Sequence, residues 1–415
     1  MQPSLAIVGG GPAGMMAAIR AAETLGDGSR VVLFDKNDRL GRKVYLTGKG
    51  RCNLTNLRPW EEFASHIHPN QGFLKQAFRA FSNEDTLRFF ASLGVPTVTL
   101  QGQRVYPASL VAGDVARALE RRVRELGVEV RYRTAVDSLA SLDGFSAVIV
   151  ATGGKSYPVT GSTGDGYRMA EEAGHTVTPT FPNETALLPR DYDPDLSGLT
   201  LKNVGLHLFV DRTCVQSEEG EFSFTDDGLE SGIAYHVSRR AVWALMNGQR
   251  VDLVLDLKPA LSEEQLVNRL QRASQLWRSS LSQKNARGSE RQSLVPPVST
   301  ALEDFSLLPK SLIAPFLRAH PGVTVEGLPA ALKSWPFRID DYKGFDRAVV
   351  TAGGVNLKEI VPKTMASRLR PGLYFCGEVL DLDGDTGGYN LQIAFSTGAL
   401  AGVSAARYLQ ALPEK

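Results

Sequence analysis

The chain has 415 residues, 43% hydrophobic, 22% charged and 8% aromatic, which is enough apolar material for two or three domains and too much for a disordered or fibrous protein. Lysine plus arginine number 46 against 45 aspartates and glutamates, so no overall field draws the chain to nucleic acid or to an anionic membrane. Glycine is in excess at 40 residues, and glycine is tolerated mainly where backbone turns tightly or lies against a ligand.

In chain order, Leu5–Val8 is a continuous apolar run of the kind buried on both faces of a parallel sheet. It is followed by Gly9-Gly-Gly-Pro-Ala-Gly14 and an Ala-rich helix over Met15–Leu25. Arg30–Phe34 reads as a second strand closing on Asp35. A helix is expected over Val111–Leu126, then strands over Val128–Tyr132 and Ala147–Val150, the latter ending in Ala151-Thr-Gly-Gly154. Beyond about residue 185 the pattern becomes alternating: Leu201–Val210, Glu221–Thr225 and Val251–Asp256 read as half-exposed antiparallel strands. Helical stretches follow at Ser262–Trp277 and Pro309–Ala319, with a polar surface loop between Ser279 and Gln292. From Arg347 the α/β grammar returns, with a strand over Gly372–Cys376 and a small-residue helix over Leu391–Leu409. The expected architecture is a doubly wound, Rossmann-like α/β domain split into 1–188 and 337–415 around an inserted β-rich and helical domain, 189–336.

Three scattered cysteines (Cys52, Cys214, Cys376) with no CxxC pair argue against a disulfide framework and a dithiol centre, and no metal site is expected. His66 and His68 read as an exposed polar stretch. No basic leader precedes the first strand, and no run approaches the ~18 apolar residues that span a bilayer, so the expectation is a soluble, reduced, cytoplasmic protein without a membrane partner.

The strongest chemical signal is Gly9-x-Gly11-x-x-Gly14, which follows a strand and opens a helix. Gly9 permits the turn, Gly11 the approach of a pyrophosphate and Gly14 close packing of helix on strand, with Pro12 and Ala13 between them at the positive helix end. Asp35, followed by Lys36, ends the next strand, where a carboxylate accepts a ribose hydroxyl and repels a 2′-phosphate; this favours FAD or NAD over NADP. Ala135 and Val136, and Thr152, Gly153 and Gly154 after a later strand, complete the expected cofactor residues of the first segment. Gly377-Glu378 and Gly387-Gly388-Tyr389-Asn390-Leu391-Gln392 resemble glutathione-reductase-like FAD folds, in which the carboxylate meets the ribityl chain and the next helix points its N-terminus at the flavin pyrimidine.

The run Gly41-Arg-Lys-Val-Tyr-Leu-Thr-Gly-Lys-Gly-Arg-Cys-Asn-Leu-Thr-Asn56 resembles the signature of the HI0933-like (YhiN-like) flavoproteins, a group that includes BaiN-type reductases and aminoacetone oxidase-like enzymes. Ala151–Gly166 and Gly377–Gln392 are similar to the same family, and the similarity runs from residue 4 to about 408. The resemblance implies extended FAD, an inserted domain with β-barrel and helical parts, and flavin redox chemistry on small molecules. Within the signature, Arg42, Lys43, Lys49 and Arg51 form a cationic loop suited to a pyrophosphate or a flavin. Gly41, Gly48, Cys52, Asn53, Thr55 and Asn56 belong to the same cofactor-binding expectation, with Cys52 either near the isoalloxazine or simply packed. Gly161-x-x-Gly164-x-Gly166 has no strand close before it and is not read as a second nucleotide site. Family members often carry Phe-Thr-His-x-Gly-(Leu/Ile)-Ser-Gly-Pro in the insert, whereas this chain reads Phe224-Thr-Asp-Asp-Gly-Leu-Glu-Ser-Gly232, a divergent branch.

The resulting expectation is an FAD-dependent oxidoreductase moving a hydride between flavin N5 and a small organic substrate, with NAD(P)H as a transient donor. An amine or alcohol oxidase, and a non-catalytic or RNA-modifying flavoprotein, stand as alternatives. Tyr389, Asn390 and Lys49 are the candidate residues for the reactive face.

Overall fold

The computed structural model describes residues 2, 4–230, 232–285 and 297–413. The chain divides into two compact units, 1–183 with 344–415, and 184–343. The expected boundaries at 188/189 and 336/337 therefore move by a few residues. They fall inside the strands Leu187–Pro189 and Trp335–Tyr342, which pair with each other and cannot be shared between units.

The first unit is built on β1 (Leu5–Val8), helix α1 (Pro12–Leu25), β2 (Val31–Phe34), α2 (Ala112–Glu125), β3 (Glu129–Arg131), β4 (Ala147–Val150), α3 (Asp165–Glu172), β5 (Leu373–Phe375) and α4 (Tyr389–Gln410). β5, β4, β1, β2 and β3 lie side by side and parallel, and two short antiparallel strands, Ala366–Ser367 and Ile360–Val361, extend the sheet beyond β5. β1 and β2 are buried at every position, which is why they read as unbroken apolar runs. α1 and α4 approach each other with backbone-to-backbone closeness. A Cβ on Gly398 would overlap the carbonyl oxygen of Ala13, and one on Gly402 that of Ala17.

Three helices, Trp60–Ala64, Gln71–Ala80 and Asn83–Ser92, and a small antiparallel sheet of Thr55–Asn56, Arg104–Pro107 and Thr97–Leu100 lie between β2 and α2 in the chain. Sequence reading assigned no element there, although Ser82 and Asp85 form a reciprocal cap on the third helix.

The second unit is a closed six-stranded barrel in the order Leu187–Pro189, Gly228–Glu230, Thr213–Thr225, Thr200–Val210, Val251–Asp256, Trp335–Tyr342. Its core includes Leu206, Leu208, Phe222, Phe224, Leu253 and Leu255. The divergent Phe224–Gly232 stretch makes the Thr225–Gly228 turn, where Asp227 pairs with Lys343. The polar loop expected from Ser279 is instead helical as far as Asn285, because no Gly or Pro interrupts the chain there; residues 286–296 lie outside the described residues. No helix among the described residues is long and apolar enough to cross a membrane.

Two outcomes follow from this packing. Gly402→Ala is expected to destabilise the first unit by about 1–3 kcal/mol through overpacking, read as a lowered melting temperature. His175, with a fully buried side chain, lies between Glu359 (3.2 Å) and Ser367 (2.7 Å). Burial lowers its pKa despite the opposing pull of Glu359, so the folded state keeps it neutral. Its contribution to stability is present above the ordinary imidazole range near ~6.5 and is lost as pH falls below it. Melting curves between pH 8 and 5 should show this acid limb, and His175→Gln should flatten it.

Candidate flavin site

The site begins where β1 runs out of side chains. Gly9 has φ +105°, a conformation that L side chains rarely adopt, and a Cβ there would come 2.5 Å from the carbonyl oxygen of Ala151. A Cβ on Gly14 would overlap the carbonyl oxygen of Gly9, so α1 starts hard against the turn. Gly11 is different: its backbone is extended (φ −73°, ψ −178°), and a Cβ there would meet nothing within 4 Å. No side chain caps α1, so its first N–H groups and positive end stay available for an anion.

These residues form one wall of a cavity within the first unit. Of the expected cofactor residues, Gly9, Gly11, Pro12, Ala13, Asp35, Lys36, Gly41, Arg42, Lys43, Ala135, Val136, Thr152, Gly153, Glu378, Asn390 and Leu391 line it. Asp35 is oriented in advance. Its Oδ2 accepts the Gly10 N–H at 2.8 Å, and its Oδ1 accepts the Asn37 N–H at 2.8 Å and Asn37 Nδ2 at 2.9 Å. Lys43 Nζ donates to both oxygens of Glu378 (3.1 and 2.9 Å), and the Thr351 N–H donates to Glu378 Oε1 at 2.8 Å. Arg42 donates to Asn37, while Lys36 pairs with Asp165 at the start of α3.

The other expected residues sit behind the wall or outside it. Lys49 is exposed in a left-handed turn, and Arg51 stacks on the Tyr106 ring at 5.3 Å, so only two of the four cations of the loop reach the cavity. Cys52 is fully buried and does not line the cavity, and burial pushes its thiol up to about 12. Gly48 packs near Asn53 and Tyr106, and Gly154 packs against Thr351. Gly377 donates its N–H to Thr397 at 2.9 Å. Asn56 Nδ2 donates to the carbonyl of Gly387 at 3.2 Å, Gln392 accepts from Thr86 at 2.8 Å, and a Cβ on Gly388 would come 2.5 Å from the backbone of Thr55. Tyr389 packs edge-on to Phe63 at 4.8 Å, away from the cavity lining, and burial pushes its phenol up to about 12.

Sequence reading missed Asn37 and the segment Thr160–Ser162 with Asp165, all of which line the cavity. The glycine cluster 161–166 was the available signal. It packs onto the same cavity, Gly161 lying against Asn37 and Lys36.

Two observations test the fit to FAD. The space beside Gly11 is where a Cβ would intrude on a pyrophosphate. Asn53 Oδ1 and Thr55 Oγ1, next to Gly388 at the uncapped start of α4, are buried without a hydrogen-bond partner among the described residues. The residues fit: the α1 N-terminus would hold the pyrophosphate, Asp35 a ribose hydroxyl, Glu378 the ribityl chain and the start of α4 the flavin.

Parallel sheet, glycine turn and split domain together define a Rossmann-type FAD-binding protein. The HI0933-like protein Rossmann domain matches residues 3–404, and the chain belongs to that family of flavoproteins. It is 31% identical over 414 residues to the 3-dehydro-bile acid delta(4,6)-reductase of Clostridium scindens, covering 97% of this chain and 98% of that one. It is 28% identical to the ribosomal RNA dihydrouridine synthase of Haemophilus influenzae (97% and 98% covered) and 29% identical to that of Escherichia coli K12 (94% and 95% covered).

Because a side chain at residue 11 meets only the cavity, Gly11→Val is expected to fold with a near-native melting temperature and to lose FAD affinity by more than about tenfold. Gly14→Val should instead fail to fold. A yellow, flavin-loaded Gly11→Val protein would contradict the pyrophosphate assignment.

Proposed function

We propose that the protein is a flavin-dependent reductase of carbon–carbon double bonds conjugated to a carbonyl, acting on a small organic substrate with NAD(P)H as electron source. The observation that carries this reading is that the chain aligns almost end to end with relatives of two named activities sharing one reaction. A Δ4,6-reductase of a 3-dehydro-bile acid and a dihydrouridine synthase both saturate a double bond in conjugation with a carbonyl. FAD bound in this site supplies two-electron hydride chemistry.

The chain's own residues hold and tune that chemistry. The Lys43–Glu378 pair sets a cation and an anion side by side in the cavity wall, and Glu378 is kept in place by the Thr351 N–H. The N-terminus of α4 has no side-chain cap and presents a positive helix end, suited to negative charge on a reduced cofactor. Val44, Leu46, Leu382 and Ile393 supply apolar lining that limits water. The sequence carries one Gly-x-Gly-x-x-Gly strand–turn–helix fingerprint, which FAD occupies, so the nicotinamide visits without a dedicated domain. The net charge of +1 supports a small substrate over a polyanion.

Anaerobic stopped-flow spectroscopy tests the reading. The visible flavin band is expected to bleach with NADPH or NADH and to recover on addition of an α,β-unsaturated ketone. Recovery with uridine-containing RNA alone would move the substrate to a nucleic acid. Recovery with oxygen alone would make the protein an oxidase and overturn the proposal.

A further inference from the structure

Beyond the end of β2 a second cavity adjoins the first. Lys36, Asn37 and Arg42 line both, and Asp38, Arg39 and Arg133 complete the second. Four of these six residues are cations and one is a carboxylate. Asp38, Arg39 and Arg133 line no part of the flavin cavity, so holding FAD does not account for them.

Backbone hydrogen bonds between two loops bring the cations together. The Arg133 N–H donates to the Asn37 carbonyl at 2.8 Å, and the Thr134 N–H donates to the Asp35 carbonyl at 2.9 Å. The loop after β3 is thereby fastened to the loop after β2. Arg133 takes a left-handed backbone there (φ 51°), which a residue with a Cβ adopts only at a cost. The Asn37 amide stands between the two cavities. Its Oδ1 accepts from Arg42 Nη1 at 2.8 Å, while Nδ2 donates to Asp35 Oδ1 at 2.9 Å and to the Thr160 carbonyl at 3.0 Å.

Positive charge is unbalanced in this cavity and balanced beside it. Lys36 is paired with Asp165, and Arg131, two residues before Arg133, is paired with Glu129 at 2.7 Å. Arg39 lies over the Tyr45 ring at 4.9 Å, and Arg42 is held by the neutral amide of Asn37. Among the described residues, Arg39, Arg42 and Arg133 have no carboxylate partner, and Asp38, the one acid in the lining, pairs with none of them. Three guanidiniums sharing one cavity repel one another, and a bound anion relieves that repulsion. Arg39 and Arg133 are exposed, so water and salt screen the attraction and keep the affinity modest.

We infer that the second cavity binds a phosphate dianion through Arg39, Arg42 and Arg133. The planar forks of guanidinium groups match the terminal oxygens of a phosphate, which a lysine contacts only as a point charge. Because the neighbouring Arg131 is already neutralised and the whole chain carries only +1, the cavity suits one phosphate group rather than a phosphodiester chain. Two sources carry this chemistry: inorganic phosphate, and a nucleotide with a phosphorylated ribose, the group that distinguishes NADPH from NADH. The two cavities then have opposite preferences. Asp35 keeps a 2′-phosphate out of the first, and the arginines draw a phosphate into the second.

The test titrates FAD-loaded protein calorimetrically, in phosphate-free buffer of low ionic strength, with inorganic phosphate, adenosine 2′-monophosphate and adenosine. At least one of the two phosphates is expected to bind with a Kd between about 0.1 and 5 mM and to weaken as KCl is added, while adenosine gives no heat. R39Q and R133N, asparagine being tolerated in the left-handed backbone, should keep their FAD and bind phosphate at least about fivefold more weakly. Adenosine 2′-monophosphate binding about tenfold more tightly than inorganic phosphate assigns the cavity to a nucleotide, and equal affinity assigns it to the free ion. Wild-type protein that binds neither phosphate at about 20 mM overturns the inference. So do FAD-loaded R39Q and R133N that both bind within about twofold of wild type, and phosphate that binds only by displacing FAD. Binding of a uridine-containing RNA oligomer by a protein that takes neither small phosphate overturns it as well.

Discussion

The close approach of backbone to backbone around α1 governs the rest of this structure. Gly14 sets α1 on the turn after β1, and Gly398 and Gly402 let α4 lie directly on α1. Residues from both ends of the chain then share one cavity wall, with Gly9–Ala13 on one side and Asn390–Ala394 on the other. A methyl group at Gly398 or Gly402 would force the helices apart, and one at Gly14 would push α1 off the turn after β1. The N-termini of α1 and α4 both owe their positions to that contact.

Charge is arranged on this frame with economy. Asp35 is satisfied by its own neighbours, Gly10 and Asn37, so its place at the end of β2 does not depend on a ligand. Lys43 and Glu378, 335 residues apart, tie the loop after β2 to the turn after β5. Asp385 does the same for the stretch around His66 and the entry to α4. Each pair joins a segment near the start of the chain to one near its end, and each sits beside a stretch that shapes the cavity.

The parts of the site that follow chain-local rules were legible in the sequence. β1, β2 and β4 announce themselves as apolar runs, and the glycines after β1 stand at the spacing a phosphate turn demands. What remained hidden depends on partners far away. His66 and His68 look like exposed polar residues because the carboxylate that holds them lies 319 and 317 residues on. The cation loop at 42–51 was read as one feature, yet Arg42 and Lys43 enter the cavity while the left-handed backbone at Gly48 and Lys49 carries Lys49 and Arg51 elsewhere. The helices over 60–92 went unassigned because their apolar faces are short and interleaved with charge, and burial against α4 rather than local propensity stabilises them.

The placement of α4 also bears on how the protein is made. The cavity needs Asn390–Ala394 beside Gly9–Ala13, so it cannot close until α4 has left the ribosome. The barrel unit, 184–343, is continuous and carries its own core, so it can complete its fold earlier, while β1 and β2 still wait for β5 and α4. A chain cut short before Tyr389–Gln410 would lack one wall of the cavity.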